Sequence, residues 1–203
     1  MRPVLLRSLI AFLLPMVVFL AGAGVMIGAS GHLQVSRQLN LLPGQLDREP
    51  LNQRLSGYDL ETVRRQWSIF TPEASGELRA KELRRSERLI LQFDLVFPLI
   101  YGASFLFSYG LIWTRVGRPR AARWMVLPVA VTVVADWTEN VTHLHQLQRH
   151  AAGGAEALQR EWMQVASLAT TLKLTCFAVS GLAGLMWIGW FIFKSARALR
   201  SVR

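Results

Sequence analysis

Cysteine is almost missing from this 203-residue chain, which holds only Cys176. A lone thiol cannot close an internal disulfide, so no disulfide framework organises the fold, and cysteine usage says nothing of redox compartment. Charge is scarce too, at 18% of residues, where a soluble domain usually carries about a quarter. Acid is scarcer than base, with 13 Asp and Glu against 23 Lys and Arg and a formal net charge of +10. Such a surplus raises the question of nucleic acid. However, the chain has no aromatic–basic interleaving and no recognisable nucleic-acid module, and many of its bases flank apolar runs, where membrane loops concentrate them. A nucleic-acid partner is therefore not expected. Internal repeats and low-complexity tracts are also missing.

What the chain does hold is apolar sequence, 52% of residues, gathered into long runs. A helix needs about 20 predominantly apolar residues to cross a bilayer. Four stretches qualify: Ser8–Ala29, Leu89–Trp113, Trp124–Leu144 and Val165–Phe193. The fold class expected is all-α: one integral membrane four-helix bundle over residues 1–203, with a partly helical extracytoplasmic segment, 30–88, between spans 1 and 2. The first run, preceded by Arg2 and Arg7, exceeds the roughly 7–15 apolar residues of a signal-peptide core, so a retained helix is expected rather than a cleaved one. Gly24 and Gly28 in that run, like Gly181 and Gly184 in the fourth, suit close helix packing within the chain or against a protein partner or second copy.

Four spans put both termini on one side. That side holds Arg2, Arg7, the loop with Arg115, Arg118, Arg120 and Arg123, and the tail with Lys194, Arg197, Arg200 and Arg203, with no acidic residue among these segments. The opposite side mixes signs. Positive-inside bias places both termini in the cytoplasm, as expected for a multi-pass protein of a bacterial inner membrane. Trp113, Trp124 and Trp190 then belong to the cytoplasmic aromatic belt and Trp162 to the outer one.

Within the outer segment, Pro43-Gly44 and Pro50 read as turns. Tyr58 to Phe70 has helical spacing, with Leu60, Val63, Trp67 and Phe70 on about one face. Thr71-Pro72-Glu73 restarts a helix, Thr71 as cap and Pro72 at the first helical position. From Glu77 the helical pattern runs unbroken into span 2. Two readings stay open for this segment, an amphipathic cap on the bundle or membrane surface and a solvated connector.

Ionisable residues within spans are costly, and they usually face the bundle interior with a partner. Span 2 has Asp94 and Tyr101 seven residues apart on one face, with Pro98 between them, whose missing N–H frees the carbonyl of Asp94. In span 3, Asp136, Glu139, Asn140 and His143 follow the i, i+3, i+4, i+7 spacing of one stripe. Span 4 carries Lys173, with Thr170, Cys176 and Ser180 near its face. At about 1.5 Å of rise per residue, Asp94 and Glu139 lie roughly 8 Å below the outer ends of their spans and Asp136 and Lys173 about 12 Å. His143 falls at the rim. Three helices thus bring their polar residues to one level, with Lys173 expected to pair with Asp136 or Asp94. Three carboxylates against one lysine should hold a proton, bind a cation or be partly hydrated.

The segments Asp94-x-x-Phe97-Pro98-x-x-Tyr101, Asp136-x-x-Glu139-Asn140 and Thr170-x-x-Lys173 resemble a group of bacterial four-span membrane proteins with no assigned activity. The resemblance covers about Gly57 to Trp187. It implies that these polar positions belong together, and it brings neither a reaction nor a cofactor.

The function expected from the residues is a polar site near the outer leaflet that binds or modifies a membrane lipid or another amphiphile. Asp136 or Glu139 would serve as general base and Lys173 as the catalytic cation, with Asp94, Tyr101, Asn140, His143 and Thr170 lining the ligand. No nucleophile stands out, since Ser167 and Cys176 lack a base at helical spacing. The alternatives are interhelical glue or a partner subunit of a membrane complex, and proton or cation handling, against which the apolar cytoplasmic halves of the helices speak. A metal on Asp136, Glu139 and His143 is disfavoured by the nearby Lys173 and the lack of a second suitably placed histidine.

Overall fold

The computed structural model describes residues 17, 49–116 and 119–200. Most of the expected first span, 8–29, with its Gly24 and Gly28, therefore lies outside the described residues, as does the turn at Pro43-Gly44. Among the described residues the chain is all-helical, with no strand. Two short helices, α1 (Leu60–Trp67) and α2 (Pro72–Ser75), lead into α3 (Glu77–Phe93) and α4 (Phe97–Val116). The long helices α5 (Pro119–Gly153) and α6 (Arg160–Arg200) follow, and 3-10 turns lie at Leu51–Gln53, Ser68–Phe70 and Gly154–Ala157.

Among the described residues, two segments can cross a membrane by length and composition, Glu77–Gly110 and Arg160–Trp187. The expected third span lies on α5, a 35-residue helix about 50 Å long. Its ionisable stripe and polar C-terminal end make it less apolar than the other two. Large apolar side chains nevertheless point outward along α4, α5 and α6: Phe107, Trp124, Leu127, Val134, Leu168, Leu182 and Met186 are each more than half exposed.

The helical pattern does not run unbroken from Glu77 into span 2. α3 ends at Phe93, Asp94 to Val96 form a turn, and α4 begins at Phe97 with Pro98 in its first turn. Proline is tolerated there because the first N–H groups of a helix have no internal partner. The carbonyls left free by the break are taken up by α5: the Trp137 indole donates to Leu95 O at 2.8 Å, and Asn140 Nδ2 to Asp94 O at 3.3 Å.

The outer segment packs as a cap, which decides against a solvated connector for its described part. The exposed Asp59 caps α1 by accepting from Thr62 N at 2.8 Å, and its hydrogen bonds from Thr62 hold its carboxyl below the ordinary value, as is usual for an N-cap. Val63, Trp67, Ile69 and Phe70 are buried, and Leu60 packs against them. They share one core with Leu83 and Leu91 of α3, Leu147 of α5 and Met163 of α6. Thr71 does precede α2, with Pro72 in the first turn, but its hydroxyl donates to Ser68 O at 2.9 Å rather than capping the new helix. A second core lies deeper, where Tyr101, Phe105 and Tyr109 of α4 meet Met125 and Val129 of α5, with Phe177 and Trp187 of α6 against them. Spacing of four residues puts the α4 rings on one face.

Candidate functional site

α5 delivers Asp136, Glu139, Asn140 and His143 from successive turns, and all four are buried. α6 runs back beside it and delivers Lys173, also buried. The Lys173 ammonium donates to Asp136 Oδ1 at 3.1 Å and to Glu139 Oε2 through a shorter contact. Asp136 is otherwise well supplied: Tyr101 O–H donates to Oδ2 at 3.0 Å, and Asn140 Nδ2 to Oδ1 at 3.2 Å. Three helices therefore close one network around a carboxylate–ammonium–carboxylate triad. Such a cluster is retained in low dielectric only when its charges are paired and hydrogen-bonded.

The pairing expected of Lys173 is met at Asp136 and differs at Asp94. Glu139 is the second carboxylate on the ammonium. Asp94 enters the network through its main chain, because the turn before Pro98 offers its carbonyl to Asn140, and its side chain is half-buried. The buried triad accordingly sets two carboxylates, not three, against one ammonium. It is still one negative charge in excess when both acids are ionised. Glu139 is fully buried, and its Oε1 has no hydrogen-bond partner among the described residues. An orphaned buried carboxylate oxygen is expensive unless it holds or receives a proton.

The outer end of the network is closed by a residue that the spacing of the spans does not reveal. Tyr58, from the cap, places its hydroxyl 2.7 Å from His143 Nε2 and 3.5 Å from Thr170 Oγ1. Burial, and then the negative charge of Glu139, push the Tyr58 phenol well above its ordinary value, so it stays a hydrogen-bond donor. Its main-chain N–H donates to Ser167 Oγ at 2.7 Å. The approach requires Gly57: its φ is +76°, and a Cβ there would come within 2.5 Å of Ser167 Oγ. Ser167 is thus a docking point for the cap. Thr170 gives its own proton to Ala166 O at 3.0 Å.

His143 is buried because the cap covers it, its ring edge lying against Trp67 at 5.9 Å. His145 lies outside the network and packs on Trp162. Among the described residues no three His, Cys, Asp or Glu side chains come together as metal ligands. Between cap and bundle remains a cavity of about 20 Å³, lined by Asn52, Gln66, Trp67, Glu87, Asn140 and His143 among others, room for about one water. On the outward face of α5 and α6 lies a much larger open groove, about 370 Å³, lined by Ala130, Val131, Val134, Ala135, Thr138, Val165, Leu168, Ala169 and Leu172.

Tyr58 and Ser167 escape the sequence because their partners lie far along the chain, with 85 residues separating Tyr58 from His143. Gly57 directly before an aromatic residue was the one local signal available. Trp137 escapes for the same reason, since the Leu95 carbonyl that its indole meets lies 42 residues away.

Compared with known proteins, the chain matches no family model, no curated protein and no solved structure.

Proposed function

We propose that this chain is a four-span protein of the bacterial inner membrane, with both termini cytoplasmic, that binds a lipid or another amphiphile beside its charged triad in the outer leaflet. On this reading it is of the same kind as the uncharacterised four-span proteins that its polar motifs resemble. The band of exposed apolar side chains on α4, α5 and α6 supports a lipid environment, since a soluble monomer rarely exposes apolar patches of that extent. The observation that carries the binding reading is the apolar groove. It lies on the two helices that hold the triad and at the same height, since Val134, Ala135 and Thr138 alternate with Asp136 and Glu139 along α5, and Ala169 and Leu172 flank Lys173 on α6. Its volume of about 370 Å³ falls within the roughly 300–1,000 Å³ usual for small-molecule sites.

In this reading the groove takes an acyl chain and the triad meets the headgroup. The excess carboxylate charge favours a headgroup group that donates protons, such as a hydroxyl or an amine. If turnover follows, Asp136 or Glu139 is the general base and Lys173, with Asn140, steadies the anion that forms. Asp94, Tyr101, His143 and Thr170 hold these groups in place.

A photoreactive fatty-acyl phospholipid in proteoliposomes tests the groove. Labelling should map to α5 and α6 and fall at least tenfold in Leu168→Trp, which fills the groove without touching the triad. Equal labelling of the two proteins would refute the site. Cysteine scanning with a membrane-impermeant reagent tests the topology, because residues near the C-terminus should react only from the cytoplasmic side.

A second reading, interhelical glue, is favoured by one observation: Lys173 is fully engaged by Asp136 and Glu139. It requires that Lys173→Met in a stabilised background leave lipid labelling and turnover unchanged.

A further inference from the structure

Where α3 gives way to the apolar sequence before α4, three cations line up. Lys81, Arg85 and Arg88 follow the i, i+4, i+7 spacing of a single helical stripe, and all three are exposed. The face that α3 buries carries Ala80, Leu83, Glu87 and Leu91, about a third of a turn away, so the cations point away from the cap core. None of the three has an ion pair or hydrogen bond among the described residues. Several other cations on the same side are engaged: Arg64 with Glu156, Arg54 with Glu49 O and Arg149 with Ala157 O.

Immediately beyond Arg88 the exposed residues turn apolar. Leu89, Phe93, Val96, Leu99 and Ile100 are each more than two-fifths exposed. The changeover puts the hydrocarbon boundary near Leu89. At about 1.5 Å per residue, Arg88 and Arg85 then lie within the roughly 5–8 Å of a headgroup layer, and Lys81 lies just beyond it with a stem long enough to reach back. Glu87, next to Arg88 in sequence, turns into the buried face, while Glu77 and Glu82 lie at the aqueous end of the stripe and neither is ion-paired to it among the described residues.

We infer that Lys81, Arg85 and Arg88 form a binding site for the phosphate of an anionic phospholipid in the outer leaflet, at the point where α3 enters the membrane. The inference rests on the four-span reading. Arginine suits this role because its planar fork can donate two hydrogen bonds to one phosphate, while its stem and that of Lys81 lie along the helix. Each cation near an anionic surface contributes roughly a fivefold preference over a zwitterionic one. This site is separate from the apolar groove, which lies on α5 and α6.

The test uses the full-length protein in nanodiscs of equimolar phosphatidylglycerol and phosphatidylcholine, with the lipids that remain bound identified by native mass spectrometry. The wild type should retain phosphatidylglycerol at least about fivefold over phosphatidylcholine. The Lys81→Gln/Arg85→Gln/Arg88→Gln variant should fall to the bulk ratio. Arg79→Gln removes a charge from a different face of the same helix and should leave the preference intact. No enrichment in the wild type, enrichment that survives the triple change, or an equal loss in Arg79→Gln would each overturn the proposal. Carbonate extraction reads the underlying membrane assignment separately. Protein that stays in the pellet without the lipid preference overturns the phosphate site alone, whereas protein released by carbonate overturns both.

Discussion

Lys173→Met should unfold the network in a pH-dependent way that ordinary packing loss cannot imitate. Methionine keeps most of the volume of the side chain, so the main effect is removal of the ammonium between Asp136 and Glu139. The wild-type triad has one negative charge in excess and the variant has two, in a site where Glu139 is fully buried. One further proton must therefore enter. Neutralising a carboxylate of ordinary pKa near 4 costs about 4 kcal/mol at pH 7, at about 1.36 kcal/mol per pH unit. That agrees with the roughly 3–5 kcal/mol found when one partner of a buried pair is removed. The same arithmetic makes the loss shrink to about 1.4 kcal/mol at pH 5. Reversible unfolding in mixed micelles, followed by tryptophan fluorescence from pH 5 to 8, reads both quantities. Lys173→Met/Glu139→Gln removes one carboxylate along with the ammonium and should recover most of the loss at pH 7. A loss that is independent of pH, or a double variant no more stable than the single one, would refute the charge argument.

His150 offers a second pH test. It is buried between Trp67 and Phe70, and neither ring nitrogen has a hydrogen-bond partner among the described residues. Burial first, and Arg84 second, hold its imidazole below the ordinary value. The unfolded chain therefore takes up this proton first. Stability should be complete above about pH 7 and fall as pH drops through about 6.5, by at most about 1.4 kcal/mol per unit. His150→Phe should abolish that slope in cap unfolding measured by hydrogen exchange. Tyr58→Phe loses the hydroxyl between His143 and Thr170 and should cost about 1–2 kcal/mol, with faster exchange confined to the cap and the outer ends of α5 and α6. Gly57→Ala forces a side chain into positive φ and against Ser167. It should cost at least about 1–2 kcal/mol, and Ser167→Gly should relieve only the steric part, as thermal denaturation of the double variant would read.

The residues alone determine that the chain is helical, since apolar runs and i, i+3, i+4, i+7 spacing are local properties set by helix geometry. They also determine that Asp136, Glu139 and Lys173 can meet at one level, because a fixed rise per residue turns sequence position into distance along a helix. The free Asp94 carbonyl was legible but its cause was not: it is left free because α3 ends at Phe93, and Pro98 falls in the first turn of α4, where no N–H is needed. Which group would donate to that carbonyl was not legible, because Asn140 lies 46 residues away and reaches it only through helix packing. Nor could spacing choose the second carboxylate on Lys173, as Asp94 and Glu139 are expected at nearly the same level and only the mutual rotation of α4, α5 and α6 decides between them. The cap is the clearest case. Its amphipathic pattern said that Val63, Trp67 and Phe70 would seek an apolar surface, but a pattern does not say which surface. Tertiary structure supplied the outer ends of α5 and α6, and so placed Tyr58 over a site that the sequence assembles from the spans alone.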